Sequence, residues 1–412
     1  MKALLKDCSL SAVVAGFIAT VISYAGPLVI IFQAAKAADL PHEVLSSWVW
    51  AISMGSGVLG IVLSLRYKVP VIIAWSAPGS ALLVTLLPGI SLNEVVGAYL
   101  VSSLIILLVG LSGTFDRLIG KLPAAISAAM LAGILFRFGT DLFVSMQDQP
   151  WLVLTMLVAY LVCKRLLPRY AVLAVLVVGV LCTLITGELR SEALVIGLAT
   201  PVWISPDFSW QVILNVALPL VVVALTGQFV PGMVVLRNDG YQTPASPLIS
   251  SSALGSLLLA PFFCHGLNLA AITAAICTGK EAHEDPARRY VAGVVGGVFY
   301  LVLGIFGATL VSFFTAFPAA LIAALAGLAL LAAIGGALGG AMSVPADREA
   351  ALITFLVTAS GMSFLGLSAA FWGLVFGIGA HLLLTARRTV VPRSSVADAD
   401  NETRESRASN LV

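Results

Sequence analysis

The sequence predicts an all-α polytopic membrane protein with fourteen transmembrane segments, arranged as two blocks of seven. Three observations predict this fold class: the composition, the distribution of basic residues, and two proline-interrupted segments at matching places in the blocks. Of the 412 residues, 60% are hydrophobic and 10% are charged, and the mean hydropathy is +1.06. Because a soluble domain carries roughly 25% charged residues, most of this protein's surface must face lipid.

Apolar runs long enough to cross a bilayer define the fourteen segments. A spanning helix needs about 20 residues, because the hydrocarbon core is about 30 Å thick. We predict the first seven segments at residues 10–34, 44–65, 69–87, 95–114, 122–138, 151–163 and 169–187. The second seven are predicted at residues 210–230, 244–260, 263–278, 288–312, 319–340, 350–361 and 366–386.

The chain therefore divides into four regions. Residues 1–190 form the first block, residues 191–209 form an outer connecting stretch, and residues 210–388 form the second block. Residues 389–412 are polar, and we expect them to form a disordered cytoplasmic tail. An odd number of segments per block means that the second block enters the membrane from the opposite side. That arrangement is an inverted repeat.

The basic residues support this segment count. Cytoplasmic loops of membrane proteins carry an excess of Lys and Arg. With fourteen segments and a cytoplasmic N-terminus, 19 of the 22 basic residues fall on the cytoplasmic side. The three on the outer side are Lys36, Arg137 and Arg190. One missed segment would reverse every later assignment, so we predict that both termini are cytoplasmic.

Several classes of function are disfavoured by the sequence. The net charge is +2, and the basic residues form no stripe that would bind nucleic acid. The five cysteines are scattered, without the spacing of a metal site or a disulfide framework. No Asp or Glu falls in the middle of a predicted segment, so paired catalytic carboxylates are missing there. We therefore predict no metal, no cofactor and no enzymatic activity.

The third segment of each block is interrupted. Residues 70–80 read PVIIAWSAPGS, and residues 261–268 read PFFCHGLN. Ala77 precedes Pro78 and is therefore biased away from the helical region, whereas Pro78 suits the first turn of a helix. Gly266 and Asn268 suit the same role in the second interruption. We predict that each interruption is a short extended piece followed by a half-helix.

These half-helices predict a binding site for an anion. A helix that begins near the middle of the membrane points free N–H groups and the positive end of its dipole at whatever lies there. Two such ends from opposite sides bind an anion without a cationic side chain. Simple proline kinks are the alternative, but two interruptions at matching places favour the binding site.

Three side chains outside the first interruption are further candidates. Tyr24 and Gln228 each stand three residues before a proline in the first segment of a block, so an inverted repeat places both near the centre. Hydrogen bonding between helices explains either residue equally well. Of the four histidines, only His265 lies at an interruption, and imidazole titrates near physiological pH. It is our candidate for proton coupling; a neutral structural histidine is the alternative.

The motifs around the interruptions are similar to those of a known family. They are AWSAPG at residues 74–79, NLAAITAAICTG at residues 268–279, EAH at residues 281–283 with RY at residues 289–290, and AAFWGL at residues 369–374. On these motifs the chain resembles the bacterial benzoate/proton symporters, which are related to nucleobase, bicarbonate and sulfate transporters. The resemblance implies a core domain of segments 1–4 and 8–11, a gate domain of segments 5–7 and 12–14, and a homodimer. It places the substrate between segments 3 and 10.

One departure within that larger group indicates an anionic substrate. Nucleobase transporters typically place carboxylates in segments 8 and 10, where Gln228 and Leu267 stand here. The loss of two negative charges suits an acid, because two carboxylates facing each other in a low dielectric repel strongly.

The predicted site holds an aromatic monocarboxylate. Its carboxylate meets the half-helix ends, with hydrogen bonds from Ser76 and Asn268. Its ring is flanked by Tyr24, Trp75, Phe262 or Phe263, and simple packing explains Phe262 and Phe263 equally well. The predicted substrate-binding residues are Tyr24, Trp75, Ser76, Ala77, Pro78, Gly79, Ser80, Gln228, Phe263, His265, Gly266, Leu267 and Asn268.

We predict a secondary active transporter that imports benzoate or a similar aromatic carboxylate with a proton across the bacterial inner membrane. One alternative is a transporter of the same fold for a different organic or inorganic anion. A passive anion channel is the other.

Overall fold

The computed structural model describes residues 7–115, 123–189, 196–280, 282–364 and 367–386. The predicted tail at residues 389–412, together with residues 190–195, lies outside the described residues. Eight helices in the described part of the chain are long and apolar enough to cross a membrane. The chain is therefore a mostly helical, multi-pass membrane protein.

The helices of the first block follow the order of the predicted segments. Helix α1 is Leu10–Ala25, α2 is Pro27–Ala37, α3 is His42–Tyr67 and α4 is Ala77–Leu86. Helix α5 is Leu92–Ser112, α6 is Ala124–Val144, α7 is Pro150–Leu166 and α8 is Ala171–Thr186. Helices α1 and α2 divide the predicted segment 10–34, because Pro27 has no N–H to continue the first helix and starts the second one instead.

The second block begins with a long helix that contains two wide turns. Helix α9 is Trp210–Arg237, with π-helical turns at Ile213–Ala217 and Leu225–Phe229. Helix α10 is Ala245–Leu259, α11 is Ile272–Thr278, α12 is Tyr290–Ile305 and α13 is Gly307–Thr315. Helix α14 is Ala319–Met342, α15 is Arg348–Ala359 and α16 is Ala369–Ala386. The second π turn contains Gln228, and such turns occur frequently at functional sites.

Two short strands pair where the interrupted segments meet. Strand β1 is Ile73–Trp75 and β2 is Leu267–Leu269, and they run antiparallel with Ala74 opposite Asn268. Every residue of both strands is buried. Extended backbone at membrane depth must find hydrogen-bond partners within the protein, and pairing supplies them. The Ala270 N–H extends the ladder by donating to Ile72 O at 3.0 Å.

A second pair of strands was not predicted. Strand β3 is Ser363–Phe364 and β4 is Leu367–Ser368, and they pair antiparallel immediately before α16. Strand β3 lies in the short connection between the last two predicted segments, and β4 falls at the start of the segment predicted at residues 366–386.

Helix packing joins the two blocks. Helix α6 of the first block packs along α14 of the second, α3 packs along α12, and α5 packs along α10. Glycine permits the close approach of α1 and α3 to α12. A Cβ atom on Gly16 would lie 2.5 Å from Ala292 O, and one on Gly57 would lie 2.7 Å from Gly297 O. Small residues at helix contacts are the usual means of close packing in membranes.

The described part of the connecting stretch, residues 196–209, forms no helix or strand and is hydrogen-bonded to segments of both blocks. The Val202 N–H donates to Ser47 Oγ at 2.9 Å, and the Ile204 N–H donates to Pro261 O at 2.8 Å. The Asn93 amide donates to Ser205 O at 2.7 Å. These bonds hold the neighbouring ends of α3, α5 and α10 together.

Candidate functional site

A cavity of about 510 Å³ lies beside the paired strands. Its wall is formed on one side by α1, α2, β1, α4, α9 and α11, and on the other by α6, α7, α8 and α14. Most of the lining residues are Ala, Gly or Pro, so the space is wide and apolar. The cavity extends to the exposed Lys164 at the end of α7 and therefore reaches the protein surface.

Four of the residues predicted for the site line this cavity. They are Trp75, Ala77, Pro78 and Gln228. Sequence reasoning missed four polar or charged lining residues, namely Ser23, Tyr160, Lys164 and Thr273. Ser23 and Thr273 adjoin or lie within the motifs that were singled out. Tyr160 and Lys164 are contributed by α7, and no local signal connects that helix with the interruptions.

The junction between β1 and α4 satisfies most of its own N–H groups. Ser76 caps the helix, and its Oγ accepts a hydrogen bond from the Gly79 N–H at 2.9 Å. The Ser80 N–H donates to Ser76 O at 2.8 Å, and Pro78 has no N–H. Among the described residues, the Ala77 N–H is left without a partner in this first turn, and Ala77 lines the cavity.

The second half-helix does not begin where the sequence predicted. Gly266 and Asn268 were expected to start it, but residues 267–269 form β2, and α11 begins at Ile272. Gly266 instead adopts a φ of +140°, which only glycine tolerates well. The Leu267 N–H donates to Ser256 Oγ at 2.7 Å. The prediction was wrong because pairing with β1 satisfies this backbone better than an early helix would.

His265 connects the two interrupted segments to α3. The Trp48 Nε1–H group donates to His265 Nδ1 at 3.0 Å, so Nδ1 carries no proton. The neutral ring then carries its proton on Nε2, which lies 3.0 Å from Ser80 Oγ and 3.3 Å from Ser76 O. The side chain is 3% exposed and does not line the large cavity. A second proton on Nδ1 would face the Trp48 donor and break that bond.

A second, much smaller pocket is lined by five more of the predicted residues. Its volume is about 10 Å³, and it is lined by Ser76, His265, Gly266, Leu267 and Asn268 together with three serines of α5 and α10. A pocket of this size holds about one water molecule. The structure therefore separates these five predicted residues from the four that line the large cavity.

Trp75 has a buried hydrogen-bond donor without a partner. The side chain is 3% exposed, and its Nε1 has no partner among the described residues. Its ring packs edge-on against Tyr24, at 5.3 Å between centroids, and against Tyr300, at 6.0 Å. The Tyr24 hydroxyl is itself occupied by a hydrogen bond to Ser53 Oγ. Tyr24 thus holds the Trp75 ring in place by packing against it. Tyr300 packs against the same ring, and sequence reasoning missed it.

The other predicted residues lie outside both pockets. Phe263 is fully buried, with its ring 5.1 Å from Trp48 and 5.4 Å from Tyr99. Gly79 and Ser80 lie in the first turn of α4, where Ser80 Oγ also donates to Ser76 O at 2.9 Å. The close approach of Ser76 requires glycine at position 79, since a Cβ atom there would lie 2.9 Å from Ser76 Oγ.

A multi-pass helical fold with interrupted segments around a central cavity defines a membrane transporter rather than an enzyme. A family model described as "Benzoate membrane transport protein" matches residues 6–383. The chain belongs to the benzoate membrane transport protein family. It is 50% identical over 386 residues to the benzoate membrane transport protein of Acinetobacter baylyi, covering 93% of this chain and 98% of that protein.

Further comparisons extend to a second relative and to solved structures. The inner membrane protein YdcO of Escherichia coli is 43% identical over 370 residues, covering 90% of this chain and 95% of that protein. The fold is similar to that of SLC26A9, with a TM-score of 0.61 and 14% identity. The matched region covers 93% of this chain and 66% of the longer SLC26A9 chain. It is also similar to the transmembrane domain of the cyanobacterial bicarbonate transporter BicA, with a TM-score of 0.55 and 14% identity over 92% of this chain and 97% of that domain.

Proposed function

We propose that this protein imports benzoate or a similar aromatic monocarboxylate across the bacterial inner membrane, coupled to protons. The observation that carries the proposal is the apolar cavity of about 510 Å³ beside β1 and β2, in a chain of the benzoate membrane transport protein family. Its volume lies within the range of about 300–1,000 Å³ that is typical of small-molecule sites. The named relative from Acinetobacter baylyi supports the choice of substrate.

The polar groups of the cavity suggest how the carboxylate binds. Trp75 Nε1 is a buried donor that has no partner in the described ranges, and the Ala77 N–H stands at the start of α4. Gln228 and Thr273 add an amide and a hydroxyl to the wall. We propose that the carboxylate lies at this end of the cavity, while the ring lies against the small side chains of α14. Hydrogen bonds to a charged group each contribute about 1.5–3 kcal/mol.

The proposal includes the fourteen-segment inverted repeat with core and gate domains. A pseudo-two-fold axis that exchanges the blocks maps α3 onto α10 and α12 onto α5. Helices α3 and α12 pack against each other, and so do their counterparts α10 and α5. The same axis maps β1 onto β2 and α6 onto α14, and these also contact each other. The cavity lies between the helices assigned to the core and those assigned to the gate. This packing supports transport by movement of one domain against the other.

The basic residues support the orientation. We propose that both termini are cytoplasmic, so that the cavity, which reaches Lys164, opens to the cytoplasm in this conformation. We further propose that the protein works as a homodimer, as its resemblance to the benzoate/proton symporters implies.

Proton coupling is proposed without a direct role for His265. The hydrogen bonds from Trp48 and to Ser80 occupy both ring nitrogens of the neutral form. The described residues that line the cavity include no Asp, Glu or His side chain. We therefore assign His265 to the support of the interrupted segments.

Uptake of labelled benzoate into proteoliposomes, with and without an imposed proton gradient, tests the proposal. We expect saturable uptake that the gradient accelerates. Flux that neither saturates nor responds to the gradient would indicate a passive channel. Saturable transport of another anion that benzoate does not inhibit would indicate a different substrate.

A further inference from the structure

The large cavity has one charged side chain among the described residues that line it, and that residue is Lys164. It lies near the C-terminal end of α7, one helical turn after Tyr160, which also lines the cavity. Residues four apart on a helix lie on the same face, with about 5–6 Å between their Cβ atoms. The pair therefore presents an ammonium group and a phenol ring side by side at one end of the cavity.

The two side chains differ in exposure. Lys164 is exposed, whereas Tyr160 is 7% exposed. Pro168 and Ala171, across the turn that follows α7, also line the cavity. Lys164 therefore marks the mouth of the cavity, and Tyr160 lies one turn further in.

Lys164 has no carboxylate partner in the part of the chain that the structure describes. The neighbouring Arg165 is also exposed but does not line the cavity. Low-dielectric walls around a single charge focus its field into the cleft and raise the local concentration of counter-ions. An anion that approaches this opening therefore meets Lys164 first.

We propose that Lys164 and Tyr160 form a cavity-mouth site for an aromatic carboxylate, in which the ammonium group pairs with the carboxylate and the phenol ring packs on the aromatic ring. This inference rests on the proposed function, and it adds a binding site separate from the group around Trp75. The mouth site holds the substrate before it enters, or after it leaves, the deeper part of the cavity.

The two side chains contribute differently. An exposed ion pair is worth about 0.2–1 kcal/mol, so loss of the Lys164 charge changes association by roughly 1.4- to fivefold. Salt screens such a pair, because the Debye length falls from about 30 Å at 0.01 M to about 3 Å at 1 M. Tyr160 contributes ring packing, which distinguishes an aromatic acid from a saturated one and does not depend on salt.

Stopped-flow tryptophan fluorescence of the purified full-length protein mixed with benzoate, at low and high salt, tests the site. We expect Lys164→Met to slow association roughly 1.4- to fivefold at low salt and to remove most of its salt dependence. Lys164→Arg and the matched control Arg165→Met should behave like the wild type. Tyr160→Leu should reduce the preference for benzoate over cyclohexanecarboxylate and leave the salt dependence intact.

Two outcomes would overturn the mouth site. One is a Lys164→Met protein with wild-type association and salt dependence, and the other is an equal effect of Arg165→Met. If the wild-type protein binds no benzoate, the proposed function fails together with the mouth site. If the wild type binds benzoate and Lys164→Met does not differ from it, only the mouth site fails.

Discussion

Two buried tryptophans differ in their hydrogen bonding. We use this difference to assign Trp48 to the support of the fold and Trp75 to substrate binding. Trp48 Nε1 donates to His265 Nδ1 at 3.0 Å, whereas Trp75 Nε1 has no partner among the described residues. A buried donor without a partner costs about 1–3 kcal/mol. A substrate carboxylate that reached Trp75 Nε1 would recover that cost without breaking an existing hydrogen bond.

Trp75→Phe tests this assignment, because it keeps an aromatic ring and removes the unpartnered N–H together with part of the indole. We expect benzoate affinity to fall about tenfold, as for the loss of a hydrogen bond to a charged group, with a smaller loss of thermal stability than in Trp48→Phe, which loses the same ring atoms and a hydrogen bond as well. Trp48→Phe is the matched control and should lower the melting temperature, since it leaves His265 Nδ1 without its donor. Equilibrium binding and thermal unfolding measure the two effects. Unchanged benzoate affinity in Trp75→Phe would remove the indole from the site.

His265→Gln tests whether this histidine supports the structure or carries the proton. Glutamine can still accept from Trp48 but does not reproduce both bonds of the ring, so we expect a lower melting temperature. The midpoint of benzoate uptake against pH should stay where it is in the wild type. Ser80→Ala removes the hydroxyl at 3.0 Å from Nε2 and should lower stability in the same way. A flattened or shifted pH profile in His265→Gln alone would restore the histidine as the proton carrier.

At the scale of elements, the sequence located the first interruption better than the second. Pro78 and Ser76 are local signals, and α4 begins at Ala77 between them with Ser76 as its cap. The start of α11 lacks such a signal, because the extent of β2 depends on pairing with β1, which is about 190 residues away in the chain. The strands β3 and β4 were missed since their short segments carry no clear period.

For helix α14, the sequence predicts the helix but not which of its residues line the cavity. Its run of Ala and Gly predicts a spanning helix, yet only packing against the other helices decides which face lines the cavity. Ala333 and Gly336 line it, whereas Gly335 does not. A Cβ atom at Gly335 or at Gly336 would meet nothing within 4 Å. Both positions therefore accept a side chain, and only one of them reaches the cavity.

Gly336→Leu and Gly335→Leu form a matched pair. Each replaces glycine in a helix interior, which favours the helix by up to about 1 kcal/mol. We expect Gly336→Leu to fill part of the cavity, reduce benzoate uptake severalfold and exclude acids with larger rings. Gly335→Leu should transport like the wild type. Uptake of a series of ring-substituted benzoates measures the difference, and equal effects of both substitutions would contradict a cavity bounded by this face of α14.

For the whole molecule, the composition and the basic residues were sufficient to predict a multi-pass helical membrane protein. The family resemblance implied a core and a gate domain, but composition and periodicity do not show the cavity between them, because it depends on contacts between distant segments. The helices proposed as the core set contribute Trp75 and Gln228 to the cavity, and those proposed as the gate set contribute Lys164 and Gly336. If transport moves one set against the other, a covalent link between the sets must stop it, while a link within one set must not.

Two engineered cysteine pairs make that comparison. A Cβ atom on Gly26 would lie 3.2 Å from Ala329 Cβ, which joins the core set to α14, and one on Gly340 would lie 3.3 Å from Ala128 Cβ, within the gate set. Both separations are close to the roughly 3.5–4.5 Å of a disulfide. We expect oxidation of Gly26→Cys/Ala329→Cys to abolish benzoate uptake and a reductant to restore it, whereas oxidised Gly340→Cys/Ala128→Cys should remain active. Full uptake by the cross-linked Gly26→Cys/Ala329→Cys protein would show that the two sets do not move apart at this contact, because a disulfide permits only small changes in separation.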